Sequence, residues 1–226
     1  MSQLNPRAFL YHLLKKELKH LDGDVAIDAG CSYLVTTNFF RTKHYYGLEM
    51  QRDRLEEGLQ QPDLRPNVIG VVADLTNLER LNSHCADVVV CTDVLFWLSR
   101  EDQAAAVREL ARICKSDGTL IVTVRHGKWK RDQRPYFMQE FERVIIRYYR
   151  GRISNLLTVV ARWFPSLRPY LYRAWWLEYL AYRIGGANTF VVAKGKKRKE
   201  SNQPFDLSRL KRLSHDLYSA ANGPLP

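Results

Sequence analysis

The sequence is poor in the features that mark secreted, membrane-spanning and metal-binding proteins. Its four cysteines, among 226 residues, form no Cys-x-x-Cys pair and show no zinc-type spacing. No apolar run approaches the ~20 residues that a spanning helix requires, and the first residues lack the basic and then apolar order of a secretory signal. Cys85 and Cys91 lie in or beside an apolar run, where a reduced, buried thiol is the simplest interpretation. These absences predict a cytoplasmic, metal-free globular protein.

Positive charge and aromatic side chains are concentrated in one part of the chain. Residues 1–124 carry 14 Lys and Arg against 17 Asp and Glu. Residues 125–200 carry 18 against 5, and they hold 15 of the 26 aromatic residues. The whole chain has a formal net charge of +11. This uneven distribution predicts two parts with different tasks, of which the second meets any acidic partner.

Short apolar runs alternate with segments of helical length over the first 124 residues. Apolar residues recur at helical spacing in residues 6–21, and five apolar runs follow, each separated from the next by a potential helix. Two further strands are predicted at 141–149 and 188–194. Buried parallel strands joined by helices have this pattern. The sequence therefore predicts an α/β fold, in which a parallel sheet is covered by helices on both faces.

The length of the chain suits one α/β domain and is short for two. We place this domain at residues 1–195 and include in it a helical insertion, rich in aromatic and basic residues, at 150–187. Residues 196–226 begin with the run Lys196-Lys197-Arg198-Lys199 and contain Ser, Asn and Pro. This composition predicts a flexible, basic C-terminal tail.

Acidic residues recur where the predicted strands end. Asp28, Glu49 and Asp74 end the first three strands, and Asp93 follows the fourth. In open α/β sheets, ligands bind beyond the carboxyl ends of the strands, where the strand order changes direction. A single acid at such a place often only marks a solvated loop, but four of them predict a ligand site.

The turn after the first strand favours a nucleoside cofactor without a pyrophosphate. Gly30 allows the backbone to approach a ligand closely, and a helix is predicted from this turn to about Phe40. Glu49 follows Asp28 by 21 residues, where an acid can accept both ribose hydroxyls. Nicotinamide-binding domains share this spacing, but they need a Gly-x-Gly-x-x-Gly turn to seat the pyrophosphate. Because Gly30 stands alone, NAD is the less favoured cofactor.

Five segments in order resemble the motifs of class I, S-adenosylmethionine-dependent methyltransferases. Asp28-Ala29-Gly30-Cys31-Ser32 resembles their first motif, commonly Asp-x-Gly-Cys-Gly, and Tyr46-Gly47-Leu48-Glu49-Met50 resembles their second strand with its ribose-binding acid. Ala73-Asp74-Leu75 is similar to the segment whose acid meets the adenine amino group and whose next residue lies against the ring. The last two segments are 91–98, strand four with its outgoing loop, and 110–120, which resembles the family's "RxLKPGGxL" segment.

The resemblance implies a Rossmann-like, seven-stranded, mostly parallel sheet with an antiparallel last strand and a helical insertion before it. It implies S-adenosylmethionine as the cofactor. The residues that it implies in cofactor binding are Asp28, Ala29, Gly30, Cys31, Ser32, Glu49, Met50, Asp74, Leu75 and Thr92. The sequence departs from the family at Ser32, where the second glycine is usual, and within Tyr33-Leu34, where the third is usual. Serine adopts a positive φ only at a cost. A relative that has lost the cofactor is therefore a second hypothesis.

Candidate catalytic residues follow from the same resemblance. Methyl transfer requires an aligned nucleophile and a shielded site, and an oxygen acceptor also requires a base. In the family, the loop after strand five overlooks the methyl group, which makes His126 the candidate base, although a solvated surface histidine is the common alternative. Asp93 and His44 are weaker candidates. No Asn/Asp-Pro-Pro-Tyr tetrad follows strand four, which disfavours methylation of the exocyclic amines of bases.

Aromatic residues and arginines are interleaved within residues 150–183. This composition suits peripheral contact with an anionic membrane, stacking on nucleic-acid bases, or a helical cap packed on the sheet. The favoured function is a methyltransferase for a small, amphipathic or membrane-associated acceptor. The alternatives are a methyltransferase-like scaffold protein without cofactor, and an RNA methyltransferase, since nucleic acid is the less favoured partner.

Overall fold

The structure is a computed structural model in which part of the chain is described. The described residues are 8–75, 78, 81–125, 134–151, 159–160, 163–167, 170, 186–206, 208, 217–219 and 223–224. In chain order the helices and strands are α1 (Ala8–Leu18), β1 (Val25–Ala29), β2 (His44–Glu49), α2 (Arg52–Leu59), β3 (Val68–Val72), β4 (Ala86–Cys91), α3 (Arg100–Ile113), β5 (Cys114–Arg125), α4 (Arg134–Glu140), β6 (Phe141–Gly151), β7 (Gly186–Lys196), β8 (Leu217–Ser219) and β9 (Gly223–Pro224).

These strands form one sheet in the order β6-β7-β5-β4-β1-β2-β3-β8-β9. Strands β1 to β5 are parallel, β7 is antiparallel to β5, and β6 is antiparallel to β7. Strand β6 therefore runs parallel to β5. Six parallel strands and one antiparallel strand form the core of the sheet, which confirms the predicted seven-stranded, Rossmann-like fold. The described part of the chain adds β8 and β9 beyond β3.

Helices cover both faces of the sheet, as predicted. Side chains alternate between faces along each strand: in β1, Ile27 packs in the layer of α3 and α4, and Ala26 packs in the layer of α1 and α2. Fully burying a side chain such as Leu14 or Leu110 stabilises the fold by roughly 1.5–3 kcal/mol. All four cysteines are buried, and none is joined in a disulfide bond. Within the described residues, no helix combines the length and the apolar character that crossing a bilayer demands.

The two ends of the parallel strands define two edges of the sheet. We call the edge at which β1 to β5 end the carboxyl edge, and the opposite edge the amino edge. Strand β6 ends at Gly151 and β7 begins at Gly186, paired with it, so both strands meet the carboxyl edge there. The predicted insertion at 150–187 connects these two strands, and most of its residues lie outside the described part of the chain.

The helix predicted from Gly30 to about Phe40 is wrong. The backbone turns instead, and only a short 3-10 turn forms at Thr37–Phe39. Ser32 and Leu34 have φ values of 51° and 58°, which is left-handed backbone. Such residues cannot continue a right-handed helix.

Residues 196–226 are not a free extension where the structure describes them. After β7 the chain crosses the amino edge, where the amide of Gln203 donates a hydrogen bond to the carbonyl of His84 over 3.0 Å. The ring of Phe205 then packs on that of Tyr46, with centroids 4.3 Å apart. Strand β8 pairs antiparallel with β3. Aromatic packing and strand pairing thus hold a segment whose composition predicts flexibility, while the domain division at residue 195 stays a prediction.

Candidate functional site

A cleft of about 210 Å³ opens at the carboxyl edge beside the end of β1. Five of the residues predicted to bind cofactor line it, namely Asp28, Gly30, Cys31, Ser32 and Thr92. Helix α1 closes one side of the cleft with Leu10 and Tyr11. The cleft therefore lies at the predicted place, where the chain after β1 and the chain after β4 come together.

The turn at Gly30 requires glycine for two independent reasons. Its φ is +79°, and a Cβ atom at this position would lie 2.3 Å from Cγ2 of Val94. The amides of Gly30 and Cys31 both donate hydrogen bonds to the carbonyl of Leu48, over 2.7 and 3.1 Å. The glycine thus lets the loops after β1 and β4 come into contact, and the loop after β1 is tied to β2.

Glu49 is held at the end of β2 by backbone amides. Its Oε2 accepts a hydrogen bond from the amide of Ser32 over 2.9 Å, and its Oε1 accepts one from the amide of Gln51 over 3.0 Å. Each carboxylate oxygen can accept a second hydrogen bond. Glu49 is therefore fixed in position and retains acceptor capacity for the two hydroxyls of a ribose.

Asp28 is a buried carboxylate in the lining of the cleft. Its Oδ2 accepts hydrogen bonds from the hydroxyls of Thr36 and Tyr45, over 2.8 and 2.7 Å. Burial raises the pKa of Asp28 to about 6, although the two hydroxyl donors lower it, and the negative charge of Glu49 adds to the increase. The cleft thus contains an acid that changes its charge close to neutral pH.

Tyr33, in the segment where the sequence departs from the motif that it resembles, lines the cleft. Its carbonyl accepts a hydrogen bond from the side-chain amide of Gln61, and the Arg54 guanidinium lies 5.8 Å from the centroid of its ring. A Cβ atom at Gly58 would lie 2.6 Å from the Tyr33 carbonyl carbon. Helix α2 therefore holds this residue at the wall of the cleft.

The other predicted cofactor residues lie along the same edge but outside the lining of the cleft. Ala29 is buried in the sheet, and Met50 is 65% exposed beyond β2. The amide of Ala73 donates a hydrogen bond to the carbonyl of Glu49 over 3.0 Å, so Asp74 follows immediately after this last bond between β2 and β3. Leu75 is buried beside it. Their roles in cofactor binding stay predictions.

The structure describes two of the three candidate catalytic residues, Asp93 and His44. Asp93 is buried just after β4, and its amide donates a hydrogen bond to Oγ1 of Thr123 over 2.7 Å. His44 begins β2, so it lies at the amino edge, and its proposed catalytic role is wrong because that edge is remote from the cleft. His126 lies outside the described residues. In the described part of the chain, no three His, Cys, Asp or Glu side chains are grouped in a way that could hold a metal ion.

Several residues of the cleft are not apparent from the sequence. Leu10 and Tyr11 belong to a helix that the periodicity predicts, but no local pattern indicates that this helix reaches the cleft. Thr36 and Tyr45 become partners of Asp28 only through the fold. Val94 directly follows Asp93, a predicted site residue, so its position in the loop after β4 could have indicated that it lies beside the cleft.

Comparisons with known proteins agree with this arrangement. Residues 27–122 match the family model described as "Methyltransferase domain". No curated protein sequence matches the chain significantly. Among solved structures, an S-adenosylmethionine-dependent methyltransferase from Archaeoglobus fulgidus is 13% identical with a TM-score of 0.52, and the match covers 83% of this chain and 94% of that one.

A second solved structure shares the fold. Magnesium protoporphyrin IX methyltransferase from Synechocystis, with bound SAH, is 16% identical with a TM-score of 0.50, over 65% of this chain and 82% of that one. In two other matching structures, the match covers only 51% and 55% of the length of the matched chain. The order of the strands, the glycine turn and the acid at the end of β2 lead to the same conclusion as the family model. Residues 27–122, less than half of the chain, are thus similar to a methyltransferase domain, and the fold is one that the two methyltransferases above share.

Proposed function

We propose that the chain binds S-adenosylmethionine at the carboxyl edge and transfers its methyl group to a small, amphipathic acceptor. The observation that carries the proposal is the carboxylate of Glu49, which two backbone amides hold beside the cleft with acceptor capacity to spare. The bound SAH of the Synechocystis methyltransferase, which shares the fold, supports the choice of cofactor. The cleft is smaller than the ~300–1,000 Å³ of typical small-molecule pockets, so the cofactor extends from it along the open edge.

Glu49 binds the ribose in this proposal. Because the amides of Ser32 and Gln51 already fix its carboxylate, little side-chain freedom remains to be lost when the sugar binds. Hydrogen bonds to an ionised acceptor are also stronger than those between neutral groups. The left-handed conformation of Ser32 accompanies its bond to Glu49, so serine in place of the usual glycine is compatible with a formed site.

Asp28 supplies negative charge to the interior of the cleft. Bound S-adenosylmethionine provides an electrophilic methyl group on a positively charged sulfur. An ionised Asp28 attracts that cation, and the cation in turn favours the ionised form and lowers the pKa of the carboxyl. Leu10 and Tyr11 line the same cleft with side chains that leave less room for water beside a bound cofactor.

An apolar or amphipathic acceptor is supported by the loop after β4. Trp97 ends the short 3-10 turn that follows Asp93 and Val94, and its side chain is 78% exposed. The ring of Phe96 lies 5.0 Å from it, centroid to centroid. An aromatic pair with one exposed ring, in the loop that reaches the cofactor cleft, suits an acceptor with an apolar body. Proton removal by His126 or Asp93 remains part of the proposal for an oxygen acceptor.

Isothermal titration with S-adenosylmethionine tests the proposal. We expect binding by the parent protein and at least tenfold weaker binding by Glu49→Ala, because a charge-assisted hydrogen bond contributes ~1.5–3 kcal/mol. Glu57→Ala is the matched control, since this exposed acid lies on α2 away from the cleft, and its affinity should equal that of the parent. A folded parent protein that takes up no cofactor at high micromolar concentration would refute the proposal and favour the scaffold hypothesis.

A further inference from the structure

Thr123 is a buried residue near the end of β5 whose hydroxyl bonds the backbone of a neighbouring loop. It is 2% exposed, and its Oγ1 accepts a hydrogen bond from the amide of Asp93 over 2.7 Å. Strands β4 and β5 are paired as far as Cys91 and Val122. The amide of Asp93 therefore bonds a side chain just beyond the point where the backbone pairing ends. A side chain that bonds nearby backbone competes with regular pairing, so this bond favours the end of β4.

The chain leaves β4 in a conformation that most residues avoid. Asp93 has a φ of 57°, in the left-handed region, which aspartate tolerates better than most residues but still at a cost. Strained backbone persists only where the surrounding structure holds it, and it is frequent at functional sites. The hydrogen bond to Thr123 holds the backbone of Asp93, because it fixes the amide at the point where the chain turns.

The residues on either side of Asp93 lie at the cofactor cleft. Thr92, which precedes it, lines the cleft together with Gly30. Val94, which follows it, packs on the glycine turn, because a Cβ atom on Gly30 would lie 2.3 Å from Cγ2 and 3.0 Å from Cγ1 of Val94. The conformation of Asp93 therefore determines how this loop meets the turn after β1.

The same loop carries the aromatic pair beside which we propose that the acceptor binds. The amide of Trp97 donates a hydrogen bond to the carbonyl of Val94 over 2.9 Å, so the 3-10 turn starts from the residue that packs on the glycine turn. At the other end of the loop, the side-chain amide of Gln103 donates a hydrogen bond to the carbonyl of Leu98 over 2.9 Å. Side chains from β5 and α3 thus hold the two ends of the loop.

We infer that Thr123 is a positioning residue of the cofactor site, which acts on the Gly30 turn through the loop after β4. The inference rests on the proposed function, because the site that Thr123 serves is the proposed cofactor site. Among the described residues, the lining of the cleft does not include Thr123, so it acts without touching the cofactor. Its hydroxyl fixes the amide of Asp93, and the loop then presses Val94 on the turn. Loss of the hydroxyl would leave a buried amide without its acceptor, which favours another conformation of the loop.

Calorimetric titration of the full chain with S-adenosylmethionine tests the inference. Thr123→Val keeps the shape of the side chain but removes the acceptor, and we expect it to bind the cofactor roughly tenfold more weakly. Thr123→Ser retains the hydroxyl and should bind within about twofold of the parent protein. Thr119→Val is the matched control. This threonine is also buried, on the same face of β5, but it pairs with Val88 inside β4, away from the cleft, so its replacement should leave the affinity unchanged.

A double-mutant cycle tests whether Thr123 acts through Val94. Val94→Ala removes the two methyl groups that lie against Gly30 and should also weaken cofactor binding. If both residues act through one contact, the double variant should bind like the weaker of the two single variants, because the effects of coupled residues do not add. Effects that multiply in the double variant would overturn the inference, as would a Thr123→Ser variant that binds as weakly as Thr123→Val.

Hydrogen exchange provides a measurement that does not depend on the cofactor. The peptide that covers residues 92–98 should exchange faster in Thr123→Val than in the parent protein, because the amide of Asp93 has lost its acceptor. Thr119→Val should exchange like the parent in this peptide. Urea denaturation checks that the variants fold. If Thr123→Val does not fold, Val94→Ala still decides, because normal cofactor affinity in that variant would overturn the inference.

The titrations separate this inference from the proposed function. A folded parent protein that takes up no cofactor refutes the proposed function, and the role of Thr123 in that site is refuted with it. A parent protein that binds the cofactor, together with a Thr123→Val variant that binds it equally well, refutes the positioning role alone and leaves the proposed function intact.

Discussion

The acidic side chains at the two edges of the sheet have different kinds of partner. At the amino edge, Asp24 pairs with Lys43 over 2.6 Å, and Asp87 pairs with Lys115 over 2.7 Å. At the carboxyl edge, the hydrogen-bond donors to Asp28 are hydroxyls and those to Glu49 are backbone amides, with no cation in contact among the described residues. Hydroxyls and amides hold a carboxylate without cancelling its charge. The carboxyl edge thus retains negative charge for a cationic ligand, whereas the amino edge uses its charges to hold the chain together.

The largest expected effect comes from placing a side chain on the glycine turn. Gly30→Ala adds a Cβ atom 2.3 Å from Val94 at a φ of +79°, so we expect a loss of about 2–4 kcal/mol in the free energy of unfolding from overpacking and backbone strain. Cofactor binding should also be lost. Urea denaturation and calorimetric titration measure the two effects.

Gly195→Ala is the matched control at the amino edge. Its φ is +59°, but the added Cβ atom would meet the flexible end of Glu142 at 2.9 Å. We therefore expect only the backbone cost, roughly 1–2 kcal/mol, with normal cofactor affinity. Equal losses of stability and affinity in the two variants would contradict the claim that the Gly30 turn belongs to the site.

Replacing Asp28 is expected to raise the free energy of unfolding, by less than Gly30→Ala lowers it. The pKa of this carboxyl is about 6 in the folded protein against an ordinary 3.8, so its contribution to stability is full at low pH and is lost as the pH rises through about 6. Asp28→Asn still accepts both hydroxyl hydrogen bonds but cannot ionise. The variant should be more stable than the parent at pH 8, by on the order of 1–3 kcal/mol, and should bind the cofactor more weakly.

Denaturation midpoints at pH 5 and pH 8 measure this effect, since the advantage of the variant should shrink at the lower pH. Asp24→Asn is the control, because the hydrogen bond and the charge of Lys43 lower the pKa of Asp24. That variant should gain no stability at pH 8. A destabilised Asp28→Asn that binds cofactor normally would show that the buried charge serves the fold and not the ligand.

The smallest of these effects is expected where the chain crosses the amino edge. Phe205→Ala removes the ring that packs on Tyr46, and we expect a loss of about 1 kcal/mol, typical of an aromatic pair. Limited proteolysis should then cut within residues 197–206 faster than in the parent. Lys199→Ala breaks only an exposed ion pair with Glu142 and should change neither stability nor cleavage measurably. Unchanged proteolysis of Phe205→Ala would mean that other contacts, such as the hydrogen bond of Gln203 to His84 and the pairing of β8 with β3, hold this segment without the ring.

The sheet was predictable from the sequence because parallel strands are buried on both faces and appear as apolar runs. The positions of Asp28 and Glu49 at one edge follow from the same reasoning, since every parallel strand ends on the same side. The turn after β1 was not predictable. Its left-handed residues, Ser32 and Leu34, depend on a hydrogen bond to Glu49 and on burial of the Leu34 side chain, and both contacts arise only in the folded chain.

Two further features required tertiary information. The hydrophobic periodicity of the sequence predicts that α1 forms but not where it packs, so the position of α1 beside the cleft could not be predicted. The packing of Phe205 on Tyr46 joins residues that are distant in sequence, and the polar, basic composition around Phe205 predicts the opposite behaviour. Composition describes the average of a segment, whereas individual contacts, such as those of Gln203 and Phe205, fix the position of this one.

The pairing of β8 with β3 has a consequence for the behaviour of shortened forms of this protein. β3 reads Val-Ile-Gly-Val-Val over Val68–Val72 and contains no charged residue or proline to discourage a foreign strand. Without the last residues of the chain, its free amides and carbonyls would become a template for a second molecule. Strand β8 therefore covers the outer edge of β3, and a truncation that removes β8 would leave this edge open to pairing with a second molecule.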